Sequence, residues 1–170
     1  GGALAFRFIG KSGIEHHVTI DDPDVIAALQ VMRSRRDVSR RLLAYRNGSG
    51  WAELASTQVN SYLSELFHGE LTAKDFRTWH ATVIAAETLA LADNVNTIAA
   101  RKRAVRAAVT AVAGYLGNTP TVARNSYIDP RVLDLFDSGT TIAAVARRSH
   151  PDPNARQAAL ERAVLHLLSG

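Results

Sequence analysis

The chain opens with two alternating runs and reads as helical almost everywhere after them. That contrast sets the class of fold. Leu4, Phe6 and Phe8 share one face of the first run. After Gly10-Lys11-Ser12-Gly13 the pattern resumes in Ile14, His16, Val18 and Ile20. Side chains alternate across a strand, so two such runs about a glycine-bounded loop predict a β-hairpin with Lys11 at its tip.

Helical spacing then takes over. Asp22 and Pro23 offer a cap and a first-turn proline to a helix carrying Val25, Ile26, Leu29 and Met32. Residues 33–41 are basic and polar, and 46–50 read as a loop. Ser56 is expected to cap a helix with Val59, Tyr62, Leu63 and Leu66, ended by Gly69. Thr72-Ala73-Lys74-Asp75 has the form of a capping box with Asp in place of Glu, opening a helix to about residue 92. Asn94 or Asn96 is expected to start a long helix through Ile98, Val105, Val109 and Val112 that stops at Gly117. Thr119 and Pro120 restart the chain as cap and first-turn proline of a short helix carrying Tyr127, which Asp129-Pro130 breaks. Further helices are expected over 132–136 and 155–168, with Pro151 and Pro153 bracketing the last break. The class is α+β: one mostly helical domain over residues 1–170, with a small N-terminal β-hairpin and roughly seven helices.

Composition narrows the function. The length of 170 residues suits one domain with a real core. With no cysteine, disulfides and thiolate metal sites are excluded, and a reducing intracellular compartment fits. Lys and Arg number 20 against 16 Asp and Glu, a net charge of +4 compatible with nucleic acid. Seventeen of those cations are arginine, whose planar fork matches phosphate, although a GC-rich genome gives the same bias. No segment approaches ~18 consecutive apolar residues, so no membrane span is expected. Gly1-Gly2-Ala3-Leu4 resembles neither a signal peptide nor a natural start, so a piece of a longer protein is expected.

The six histidines form no HExxH or other metal spacing, and no phosphate-binding glycine loop or GxSxG elbow is present. Three segments stand out: FIGKSG at 8–13, TAKDFRTW at 72–79, and LGNTP at 116–120 followed by RNSYIDP at 124–130. Singly, each has an ordinary reading. Lys11 is a solvated loop lysine, and Arg77 pairs with Asp75 or covers apolar surface with its stem. Tyr127 is a core aromatic, and Asn118 is helix-stop chemistry.

Together and in this order the segments resemble the type IB DNA topoisomerases, in their bacterial, poxvirus-like branch. The segment STQVNSYL at 56–63 also looks like the family's helix ahead of the second motif. The resemblance covers roughly residues 4–137; the TAKDFRTW segment and the nine-residue interval from Asn118 to Tyr127 are its most specific parts.

The resemblance implies the tyrosine recombinase/topoisomerase IB catalytic fold and relaxation of supercoiled double-stranded DNA without ATP, metal or other cofactor. Tyr127 would attack a phosphodiester and form a 3′-phosphotyrosyl link. Arg77 would clamp a non-bridging oxygen, and Lys11 would protonate the leaving 5′ oxygen. Asn118 stands where many members carry histidine and would donate a hydrogen bond to the phosphoryl group. Lys74, one turn before Arg77, would hold a neighbouring phosphate or base edge, and Ser56 and Arg124 would bind DNA. A monomer acting on the nucleoid in the cytoplasm is expected. The family's first catalytic arginine lies upstream of the hairpin and has no match here, Arg7 being on the strand itself. The chain alone is therefore expected to be weakly active or inactive. Two rivals share some of these features. Tyrosine recombinases and integrases usually show HxxR where this chain has Lys74 and Arg77, and a DNA-binding helical domain would need no nucleophile.

Overall fold

The computed structural model describes residues 2–10, 13, 15–36, 41–48 and 50–170. Lys11, at the expected hairpin tip, lies outside them, as do Ser12, Ile14 and Ser49. Where the sequence shows no linker, the chain nevertheless groups into two compact units, Gly1–Ala73 and Lys74–Gly170. No helix among the described residues is long and apolar enough to cross a membrane.

The first unit holds the N-terminal hairpin, β1 (Leu4–Ile9) and β2 (Glu15–Ile20). The strands pair antiparallel in the register Leu4↔Ile20, Phe6↔Val18 and Phe8↔His16, which puts the alternating residues of both runs on one face. The Phe8 and His16 rings stack at 5.1 Å. Helix α1 (Pro23–Ser34) starts as its sequence dictates, with the Asp22 carboxylate accepting from the backbone N–H groups of Asp24 and Val25 at 2.9 and 3.0 Å.

Two features of this unit depart from expectation. Arg46, Asn47 and Gly50, read as loop residues, are paired strand residues of a second hairpin, β3 (Ala44–Asn47) with β4 (Gly50–Glu53), in which the Arg46 guanidinium lies 5.0 Å over its cross-strand partner Trp51. Ser56 does not cap α2 (Ser56–Phe67) but is its first helical residue. Ala55 is the cap, and its N–H is taken by the Gln58 side chain at 2.9 Å. The helix closes with His68 in the left-handed conformation, one residue before the expected Gly69.

The second unit carries the main core. Its helices are α3 (Ala73–Ala90, begun at the boundary), α4 (Ile98–Leu116), α5 (Pro120–Ser126), α6 (Pro130–Asp137), α7 (Ala143–Ala146) and α8 (Pro153–Ser169). Their inward faces, among them Val83, Leu89, Val112, Phe136, Leu160 and Val164, form one buried cluster. Neither Asn94 nor Asn96 caps α4: Thr97 does, accepting from the Ala100 N–H at 3.1 Å. Asn94 sits at φ 55°, in the left-handed region, whereas a cap needs extended backbone. The four-residue α7 has no counterpart in the expected elements.

Candidate active site

The sequence-selected residues of the second unit come from three places in the chain, and each has a local reason to be where it is. Lys74 and Arg77 lie one turn apart in the first turns of α3, so they share a face. Helix α4 ends at Gly117, whose φ of 65° is readily available only to glycine, and the Asn118 N–H closes the end by bonding back to the Ala113 carbonyl at 3.0 Å. Thr119 caps α5 through the Val122 N–H at 3.3 Å, with Pro120 in the first turn. Tyr127 is the last residue of that turn of structure, leaving the helix at φ −133° and ψ −23°.

These ends converge. The Arg77 guanidinium lies 5.6 Å from the centroid of the Tyr127 ring and the Lys74 ammonium 5.9 Å. Arg77 Nη2 donates to the Leu116 carbonyl at 3.1 Å, at the negative end of the α4 dipole. Two residues further, Asn118 Nδ2 is buried with no hydrogen-bond partner among the described residues. A buried donor without an acceptor costs about 1–3 kcal/mol, so its retention calls for an explanation in function. Tyr127 itself is half-buried against the core cluster.

The ordinary reading of Arg77 divides: the pairing with Asp75 is not formed, whereas its place over the Tyr127 ring agrees with a stem that covers apolar surface. Among the described residues no carboxylate pairs with Lys74, Arg77 or Arg124, and all three are exposed. Two of these heads without anionic partners, those of Lys74 and Arg77, leave a local positive field at the Tyr127 ring. Beside it the Asp129 carboxylate pairs with Arg131 at 2.7 Å and caps α6 through the Arg131 N–H at 2.9 Å. The hydrogen bond from the Arg131 side chain, set against some burial, holds the Asp129 carboxyl below its ordinary value; Asp129 in turn raises Arg131. Arg131 also donates to the Leu168 carbonyl of α8 at 3.1 Å. Asp75, Thr78, Trp79, Thr82, Asp129 and Arg131 line much of a groove of about 420 Å³ on this side.

Of the other sequence-selected residues, Arg124 is exposed in the last turn of α5, three residues before Tyr127. Ser56 is exposed at the start of α2 in the first unit, and Lys11 falls outside the described residues. Sequence reasoning missed Thr82, a lone polar residue in the apolar stretch 81–86, whose hydroxyl meets the backbone on both sides of Ile128. Its only signal was that isolation.

The family model described as eukaryotic DNA topoisomerase I, catalytic core, matches residues 1–140. This chain belongs to that family. No curated protein matches the chain. The topoisomerase match spans Lys11, Ser56, Lys74, Arg77, Asn118, Arg124 and Tyr127, and it ends before α7 and α8. The family acts on DNA, which gives the unpaired cations of this topoisomerase chain a polyanionic partner.

Proposed function

We propose that this chain is the cleaving and rejoining core of a type IB enzyme of the family, with Tyr127 as the nucleophile. The observation that carries the reading is the convergence on one phenol ring of two cationic heads, Lys74 and Arg77, with the Asn118 amide, unpartnered among the described residues, two positions beyond the Leu116 carbonyl that Arg77 holds. A core tyrosine needs no such company. A phosphoryl group brought to the phenol does, because charge grows on its non-bridging oxygens in the transition state.

The step balances within one phosphodiester. The Tyr127 oxygen bonds to phosphorus as its proton passes to solvent water, and the bond from phosphorus to the 5′ oxygen breaks. The 3′ phosphate is left on the tyrosine, and the 5′ oxygen takes a proton from Lys11. Arg77 spends one N–H on Leu116 and keeps the rest of its fork for the phosphoryl oxygens, and Asn118 donates its free amide hydrogen. Lys74, Arg124 and Ser56 hold flanking DNA. The tyrosyl ester conserves the bond energy, so the released strand can rotate and the 5′ hydroxyl can reverse the step with no nucleotide or metal consumed.

Plasmid relaxation by the intact protein tests the proposal. Tyr127→Phe keeps the ring and its packing and removes only the attacking oxygen. It is expected to abolish relaxation and covalent adduct while DNA affinity stays within about threefold. Relaxation by the Phe variant above a trace rate refutes the assignment of Tyr127.

A further inference from the structure

Thr82 lies on α3, five residues beyond Arg77, and at 2% exposure it is the one buried polar side chain among the described residues. A hydroxyl has one proton to give and two lone pairs to accept with. Thr82 Oγ1 accepts from the Asp129 N–H at 3.1 Å. It lies 2.9 Å from the Thr78 carbonyl and 3.4 Å from the Tyr127 carbonyl, so its proton goes chiefly to Thr78 and reaches Tyr127 by rotation about one bond. Two backbone groups on either side of Ile128 therefore meet on a single oxygen.

We propose that Thr82 is a positioning residue for Tyr127: its hydroxyl ties the backbone from Tyr127 to Asp129 to α3 and so fixes the direction in which the phenol is presented. The inference rests on the reading of Tyr127 as nucleophile. Its physical basis is the way α5 ends. The N–H groups of Tyr127 and Ile128 share one acceptor, the Ala123 carbonyl, both at 3.2 Å, so the end of α5 hangs on one shared carbonyl. Ile128, 5% exposed, anchors the segment in the core, and Thr82 ties the far side. The Thr82 tie ends on α3, the helix that carries Lys74 and Arg77. Nucleophile and cations are thereby referenced to the same rigid element. Misplacing a reacting atom by about 1 Å costs on the order of 10²-fold in rate.

Single-turnover cleavage of a suicide duplex by the intact protein at saturating DNA measures this. Thr82→Val keeps the shape and removes the hydroxyl, and it is expected to slow cleavage roughly 10- to 10²-fold with DNA affinity within about threefold. Thr82→Ser restores the hydroxyl and is expected to recover most of the rate. On a substrate with a bridging sulfur at the 5′ position, which leaves without protonation, the Thr82→Val deficit is expected to persist, because the aim of the attack is lost and not the leaving group's proton. A variant that melts earlier yet cleaves at the parent rate while folded overturns the proposal, and so does a deficit that the sulfur substrate removes. If Thr82→Val does not fold, Thr82→Cys against Thr82→Ser replaces it, since a thiol hydrogen-bonds weakly at similar size; equal rates overturn the proposal. Tyr127→Phe runs alongside. Cleavage by the Phe variant sinks the reading of Tyr127, whereas an inert Phe variant beside an unimpaired Thr82→Val sinks only the role of Thr82.

Discussion

Arg77→Ala is the substitution whose two consequences can be separated most cleanly. In the folded protein the side chain makes one hydrogen bond, to the Leu116 carbonyl at 3.1 Å, and lies 5.6 Å over the Tyr127 ring. The first is worth about 1 kcal/mol net. The second adds about 0.5–1 kcal/mol at an exposed site. Stability should therefore fall by about 1.5–2 kcal/mol, which lowers the melting temperature of a roughly 100-residue unit by about 6–16 °C. The effect on chemistry should be larger. Loss of one preorganised donor at a developing negative charge typically costs 10²–10³-fold, about 2.7–4 kcal/mol. The assay is single-turnover cleavage at a temperature where melts of both proteins show them folded, with DNA raised until the rate no longer changes. Arg77→Lys divides the total further. It keeps the charge but has no planar fork to serve Leu116 and a phosphoryl oxygen together, so it should recover DNA affinity and little of the rate. A folded Arg77→Ala protein that cleaves within tenfold of the parent at saturating DNA refutes the reasoning. So does a loss that added DNA fully restores, since that would place Arg77 in binding alone.

Asn118→Leu should separate stability from activity in the opposite direction. Removing a buried donor that has no partner is expected to leave the melting temperature unchanged or higher, while cleavage falls at least tenfold; a lower melt with normal cleavage would contradict both halves. Asp129→Asn keeps a capping oxygen and loses the charge facing Arg131. The Asp129 carboxyl is held below its ordinary value in the folded state, so its contribution is present above the unfolded value near 4 and lost as pH falls through the lower folded value. The stability gap between parent and variant, read from melts across pH 7 to 3, should therefore close only below about pH 4; a gap that closes at higher pH contradicts this.

The parts legible in the sequence were those with a local cause. The first hairpin followed from strict alternation on both sides of Gly10–Gly13, and α5 followed from Thr119-Pro120 at its start, whereas Asp129-Pro130, read only as the break after Tyr127, is the cap and first-turn proline of α6 itself. The second hairpin was not legible, because its four-residue strands carry charged residues where alternation would show, and its stabilising pair, Arg46 on Trp51, exists only once the strands are registered. The start of α4 was misplaced because Asn94, Asn96 and Thr97 are all good caps by composition, and only backbone angle distinguishes them. The site divides the same way. Lys74 and Arg77 share a face by spacing alone. Their meeting with Tyr127, fifty residues on, was supplied by the resemblance; the Leu116 carbonyl is a backbone group that no side-chain pattern announces, and Thr82 belongs to none of the three segments.

The last two helices lie beyond the part of the chain that family likeness recognises, yet they are not an appendage. Leu160 and Val164 of α8 are 2% and 0% exposed, Ile142 and Ala146 around α7 are 5% and 3%, and Arg156 of α8 pairs with Glu87 of α3. Burying a Leu or Val side chain is worth about 1.5–3 kcal/mol, so two of them, about 3–6 kcal/mol, are a large part of the margin of about 5–15 kcal/mol by which a domain stays folded. The border drawn by shared ancestry and the border drawn by cooperative unfolding therefore fall in different places. A chain ended at residue 140 would keep every residue assigned a part in cleaving DNA and lose the wall against which their supporting helix is braced. Substitution in α8 is therefore tolerated on the side it shows to water and costly on the side that carries Leu160, Val164 and Arg156.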